Sequence, residues 1–319
     1  LTVTKQGADN PPAPRPKVVL LCGPTASGKT GLALQLASHR RVEIVSADSR
    51  QVFRGMDIGT AKATPAEQAL VPHHLLDVVD PDEEFSVADF LPRARRIIAA
   101  IHDRGRLPLV VGGTGLYIRA LTEGLVDVPG ADPVLRQRLA AEERAAGPGT
   151  LHRRLAAVDP AAAANIPPRN LVRVIRALEI WELTGTPLSA HQAAHGFAER
   201  PYHCLKLGLL PPREELEKRI AERVDEMLAR GLVAEVAGLL EAGFSPNLKA
   251  LQTIGYREVI AHLQGDCGPA QMRERIIVNT RRYAKRQLTW FRKDKSIIWV
   301  DSLRESARIL SLFDDFMTQ

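Results

Sequence analysis

Residues 20–36 read "LLCGPTASGKTGLALQL", and this stretch decides the fold. An apolar run, "KVVLLC" from Lys17, leads into Gly23, Pro24, Thr25, Ala26, Ser27, Gly28, Lys29 and Thr30, and "GKTGLALQLASHR" continues with helical character. The octet fits G-x-x-x-x-G-K-[ST] in the context that pattern requires, strand before and helix after. Its amide N–H groups gather at the positive end of a helix, which makes a nest for an anion. Lys29 adds a mobile positive charge, and the Thr30 hydroxyl can ligate Mg²⁺. Such a loop usually signals ATP or GTP, but it does not say what the bound phosphates are attached to.

Working outward, "VEIVSAD" (42–48), "LPLVV" (107–111) and "HCLKLGLL" (203–210) are short apolar runs of buried-strand type. "SIIWVD" near the end is a further short strand candidate, and "SVADFLPRARRIIAAIHDRG" shows helical spacing with a stop at Gly105. Strands alternating with helices imply a P-loop NTPase-like α/β fold, a parallel sheet flanked by helices. From 127 to 200 the strand signals vanish and Ala- and Arg-rich helical stretches take over, which predicts an all-helical insertion. The expected organisation is a disordered, proline-containing leader (1–16), a core from 17–126 and 201–319, and the insertion at 127–200.

The 319 residues are 45% apolar and 25% charged, enough for a sizeable core and against global disorder. A net charge of +6 is only a weak pointer to a polyanionic partner. Three widely spaced cysteines form no CxxC or Cys/His cluster, so neither structural zinc nor a disulfide framework is expected, and a reducing cytoplasm suits them. No apolar run reaches the length of a membrane span. A monomer is expected, and His73 and His74 are read as structural.

Four segments carry candidate chemistry. Besides the P-loop, Asp48 sits just past a strand end, and "GGTG" (112–115) follows another; in open α/β sheets ligands gather at such ends, so three loops should border one crevice. Asp48 by itself reads as a general base, a helix N-cap or a metal-coordinating carboxylate. "GGTG" reads as a tight turn or a ligand loop. In "REELEKRIAERVDEMLARGLVAEV" (213–236), Leu216, Ile220, Met227 and Leu228 should form a core stripe. Arg219 and Arg223 share a face, either a solvated, salt-bridged one or a clamp for phosphate. Finally, "RERIIVNTRRYAKRQLTWFRK" (273–293) interleaves basic residues with Tyr283, Trp290 and Phe291. That pattern suits either nucleic-acid contact or a helix with its aromatics in the core.

Together, "GPTASGKT", "SADSRQVFRGMDIGTAK", "HHLLDVVDP", "VVGGTGLY", "RVIRALEI", "QTIGYRE" and "RRYAKRQLTWFR" make the chain resemble the tRNA dimethylallyltransferases, of bacterial type. The resemblance covers nearly the whole expected ordered chain. It implies transfer of a dimethylallyl group from its pyrophosphate to N6 of the adenosine 3′-adjacent to the anticodon, in tRNAs reading U-starting codons. It implies Asp48 as the base, with Arg223, Lys29 and Thr30 acting on the departing pyrophosphate and Mg²⁺ as cofactor. It implies contacts to the tRNA anticodon stem-loop from Asp48, Ser49, Arg50, Gln51, Thr114 and Arg136, and from Val172, Arg173, Val174, Ile175 and Arg176. Further contacts are implied for Gln252, Thr253, Ile254, Gly255, Tyr256 and Arg257, with the insertion as a mobile clamp. Phe53 stands where many members have Tyr, "PPRNLV" replaces a frequent Asn-Asp-x-x-Arg, and no zinc-finger extension follows. Rival readings are a small-molecule or nucleoside kinase of the same fold, a tRNA-binding P-loop protein without transfer activity, and a prenyltransferase acting on free adenine nucleotides.

Overall fold

The computed structural model describes residues 14–301 and 304–318, so most of the expected leader lies outside the described residues. The described residues divide into two compact units: those up to 122 with those from 201 onward, and residues 123–200. The first unit opens with β1 (Lys17–Cys22), α1 (Lys29–His39), β2 (Val42–Ser46), α2 (Pro65–Leu70) and β3 (His73–His74). It continues through α3 (Val87–Asp103), β4 (Leu107–Gly112) and α4 (Gly115–Glu123). The second unit is helical: α5 (Pro133–Ala146), α6 (Thr150–Val158), α7 (Pro160–Asn165), α8 (Leu171–Thr184) and α9 (Leu188–His195). The first unit then resumes with β5 (His203–Leu209), α10 (Arg213–Ala229), α11 (Leu232–Glu241), α12 (Tyr256–Leu263), α13 (Pro269–Phe291), β6 (Ile298–Val300) and α14 (Ser306–Thr318).

The strands form one parallel sheet in the order β3-β2-β4-β1-β5-β6. Alternate residues of β1 enter different cores. Val19 and Leu21 pack with α1 and α14, whereas Val18, Leu20 and Cys22 pack with α3 and α4. Both faces are covered, which is why the strands read as unbroken apolar runs. A third core joins α10–α13 to Val52, Phe53 and Met56. Because β4 lies between β1 and β2, with Cys22 paired to Gly112 and Ser46 to Val111, the three strands end side by side. The loops after them therefore share one edge of the sheet.

Some expectations shift. β3 has no strand signal of its own, being only two residues long. His74 Nε2 lies 2.7 Å from Glu43 Oε2 and His73 Nδ1 lies 2.8 Å from the Val71 carbonyl. The helical stretch 213–236 breaks at Gly231, whose φ of 97° ends α10 and starts α11. On α10 the fully buried stripe is Leu216, Ile220 and Val224; Met227 and Leu228 are only half-buried. The helical unit begins at 123 rather than 127, since Gly124 already abuts Glu199 and His195 of that same unit. Among the described residues, no helix is long and apolar enough to cross a membrane.

Candidate functional site

α1 starts without a side-chain cap and without an acidic residue in its first turn. The positive end of the helix is therefore uncompensated, as an anion nest requires. The Lys29 ammonium donates to the Gly23 and Pro24 carbonyls, at 3.1 and 2.7 Å, which leaves its third N–H for another acceptor. Burial, followed by the neighbouring Arg223 guanidinium, lowers Lys29 to about 8, while the Asp48 carboxylate pulls the other way. Burial also pushes Arg223 below its usual value, and Asp48 and Glu226 support its charge. These couplings put P-loop lysine, helix arginine and strand-end carboxylate in one electrostatic neighbourhood.

They line one cavity of about 770 Å³, together with the rest of the P-loop from Thr25 on, residues 48–51, Gly112, Gly113, Arg219 and residues 252–255. Within it the two α10 arginines behave differently. Arg219 is tied to Glu215 at 2.8 Å, one turn back, and is an ordinary helix-face ion pair. Arg223 has no carboxylate in salt-bridge range among the described residues.

Asp48 does not cap a helix, since none begins in the loop that follows it. Its Oδ1 accepts the Arg50 N–H at 2.8 Å, a local turn that leaves Oδ2 for the cavity. Thr114 joins this loop to the next: its hydroxyl accepts the Ser49 N–H at 3.0 Å, and its own N–H donates to the Ala47 carbonyl at 3.2 Å. Gln51 holds its own loop together, accepting from Ser46 Oγ and donating to the Thr60 and Ala61 carbonyls. Thr30, exposed at the start of α1, and Asp48 supply hard oxygen donors to the cavity. Among the described residues there is no cluster of three His, Cys, Asp or Glu that could hold a metal. Such a donor set suits a cation held mainly by phosphate and water oxygens, not by a protein cage.

The remaining expected contacts divide. Gln252, Thr253, Ile254, Gly255 and Arg257 reach the cavity, but Tyr256 is wholly buried, with its hydroxyl on Glu235. The same Glu235 carboxylate accepts the N–H groups of Asp57, Ile58 and Gly59, so the pair braces the loop instead of facing a ligand. In the helical unit, Val174 and Ile175 belong to the core with Leu139, Leu151 and Leu155, while Val172 and Arg173 are exposed. Arg136 and Arg176 both bind Glu179, which is fully buried and also accepts the Asp132 N–H. On α13 the aromatics divide by burial. Phe291 is core, Tyr283 lines the cavity half-buried, and Trp290 is 42% exposed. Arg281, Arg282, Lys285 and Arg292 are exposed, and Arg273 pairs with Asp225.

Three residues escaped the sequence reading. Glu235 and the buried Lys62, which donates to the Phe53 carbonyl and pairs with Asp57 and Asp77, shape the loop after β2. Gln287 joins the P-loop to the "GGTG" turn, accepting from Thr25 N–H and donating to the Gly113 carbonyl. The only signal for it was a polar residue at an apolar-stripe position of a helix.

A family model described as IPP transferase matches residues 51–294, and one described as isopentenyl transferase matches residues 16–76. A relative from Geobacter sulfurreducens, named tRNA dimethylallyltransferase, is 55% identical over 285 residues, covering 89% of this chain and 92% of its own length. The crystal structure of the tRNA isopentenylpyrophosphate transferase from Bacillus halodurans is 42% identical, with a TM-score of 0.68 over 95% of this chain and 98% of that one. A eukaryotic dimethylallyltransferase acting on tRNA is 30% identical, with a TM-score of 0.82 over 95% of this chain and 80% of that one. With a P-loop, a strand-end carboxylate and an uncommitted arginine on one cavity, and with these relatives matched along almost its full length, the chain belongs to the IPP transferase family of tRNA-modifying prenyltransferases.

Proposed function

We propose that the protein transfers the dimethylallyl group of dimethylallyl pyrophosphate to N6 of the adenosine 3′-adjacent to the anticodon, in tRNAs reading codons that begin with U. One observation carries the site assignment: Asp48, Lys29 and Arg223 act on one another electrostatically and line the same cavity. A base and an anion cradle are what the reaction needs at its two ends. The N6 lone pair is delocalised into the adenine ring, which makes the amine a weak nucleophile. Asp48 takes the N6 proton as the N6–C1 bond forms. The C1–O bond breaks, and its electron pair leaves on the pyrophosphate oxygen. Lys29, Arg223 and the amides at the start of α1 stabilise that developing charge.

Thr30 is the residue that would hold Mg²⁺ beside the phosphates, with Asp48 kept for the proton. When bound, the ion supplies further neutralisation of the leaving group. Arg50, Gln51 and Thr114 frame the place where an extruded base enters. The exposed Val172 and Arg173, with the helical unit around them, serve to grip the anticodon stem-loop. The test is incubation with labelled dimethylallyl pyrophosphate or labelled ATP, with and without tRNA. Label from the prenyl donor should enter tRNA alone; transfer of phosphate from ATP would overturn the reading.

A further inference from the structure

Gln287 is a polar residue in the buried face of α13, between Ala284 and Phe291, and only 6% exposed. Its Oε1 accepts the Thr25 N–H at 2.9 Å, and its Nε2 donates to the Gly113 carbonyl at 3.0 Å. Thr25 belongs to the loop after β1 and Gly113 to the turn after β4. One side-chain amide therefore joins two loops that neither follow each other in sequence nor exchange a ladder bond at that point. The contact is close. A Cβ on Gly113 would stand 2.2 Å from Gln287 Nε2, and one on Gly115 would stand 2.1 Å from the Trp290 ring. Only glycine lets α13 approach the turn this nearly.

The link continues past the turn. Thr114 accepts the Ser49 N–H and donates to Ala47, and Asp48 accepts the Arg50 N–H. A continuous path of hydrogen bonds and short backbone steps thus runs from the P-loop to the loop of the base. We propose that Gln287 is a positioning residue that sets the pyrophosphate cradle and Asp48 in register. This rests on the function proposed above. The chemistry of the amide is specific, because one end must accept and the other must donate. A carboxylate of the same length cannot donate to Gly113, and it places a negative charge against a loop that holds an anion. A protonated carboxylic acid can do both.

The test compares Gln287→Leu and Gln287→Glu with the unaltered full chain, reading prenyl transfer under saturating substrates and, separately, pyrophosphate binding by calorimetry. Loss of register should lower kcat roughly 10- to 100-fold in Gln287→Leu, with KM for tRNA little changed. Gln287→Glu should be impaired at about pH 8.5 and recover relative to the unaltered protein towards about pH 5.5, by roughly tenfold, as its carboxyl, raised by burial and by facing the Gly113 carbonyl, protonates. Its pyrophosphate affinity should follow the same ratio. If Gln287→Leu does not fold, the pH ratio of Gln287→Glu carries the test. Wild-type kcat in both variants, or a Gln287→Glu ratio independent of pH, overturns the inference. If the unaltered protein transfers no prenyl group while the binding ratio still follows pH, the proposed reaction fails and the locking role stands.

Discussion

Lys29 offers the sharpest test of how the cavity handles charge. Burial and Arg223 bring its ammonium down to about 8, so in the free protein it is roughly half protonated at pH 8, about nine-tenths at pH 7 and about one-tenth at pH 9. An anionic donor favours the charged form and raises the pKa again. Binding above neutrality must therefore take up a proton: about a tenth of one at pH 7, about half at pH 8 and close to one at pH 9. The sign follows directly. The charge that binds the donor is nearly complete below about pH 7 and is lost as pH rises through about 8, so affinity should fall about tenfold, or ~1.4 kcal/mol, per pH unit above about pH 8. The assay is calorimetric titration with dimethylallyl pyrophosphate in buffers of differing ionisation heat, alongside Lys29→Arg, which stays charged throughout. Subtracting the two cancels protons exchanged by the donor itself. Equal proton uptake in both proteins, or a donor affinity flat from about pH 7 to pH 10, would show that Lys29 does not carry the charge that binds the donor.

Asp48→Ala should lower kcat by roughly 10²- to 10⁴-fold with donor binding retained, in single-turnover measurements; normal turnover would remove Asp48 as base. Arg223→Ala should weaken donor binding roughly 10- to 100-fold, whereas Arg219→Ala, which loses only its pair with Glu215, should change it little. An equal effect of both would erase the distinction drawn between them. Glu235→Ala strands the buried Tyr256 hydroxyl and the N–H groups of 57–59, and should cost roughly 2–4 kcal/mol in urea unfolding. Affinity for tRNA should drop with rising salt, and Lys285→Ala or Arg292→Ala should each flatten the log–log slope by about one.

Much of this was readable from the chain because much of it is local. The P-loop is eight contiguous residues whose anion nest depends on a strand before and a helix after, and both announce themselves in apolar runs and spacing. The apolar runs ending at Cys22, Asp48 and Val111 likewise predict a shared crevice from the rule for parallel sheets. What the residues could not say is which member of a chemically identical set does the work. Arg219 and Arg223 are one turn apart, look alike in sequence and both line the cavity; Arg219 pairs with the glutamate one turn back on its own helix, whereas Arg223 has no carboxylate in salt-bridge range among the described residues. Tyr256 and Val174 sit inside recognisable motifs, yet their side chains are core. Gln287 reads as one more polar residue of a basic helix until α13 is laid across the loops after β1 and β4. A hydrogen bond spanning 262 residues of chain has no local signature. The sequence alone determined the anion nest and the longer strands and helices, since these arise from neighbours along the backbone. Tertiary structure alone decided burial, the ion pairs between elements and the register of the loops, since these depend on side chains brought together only by packing.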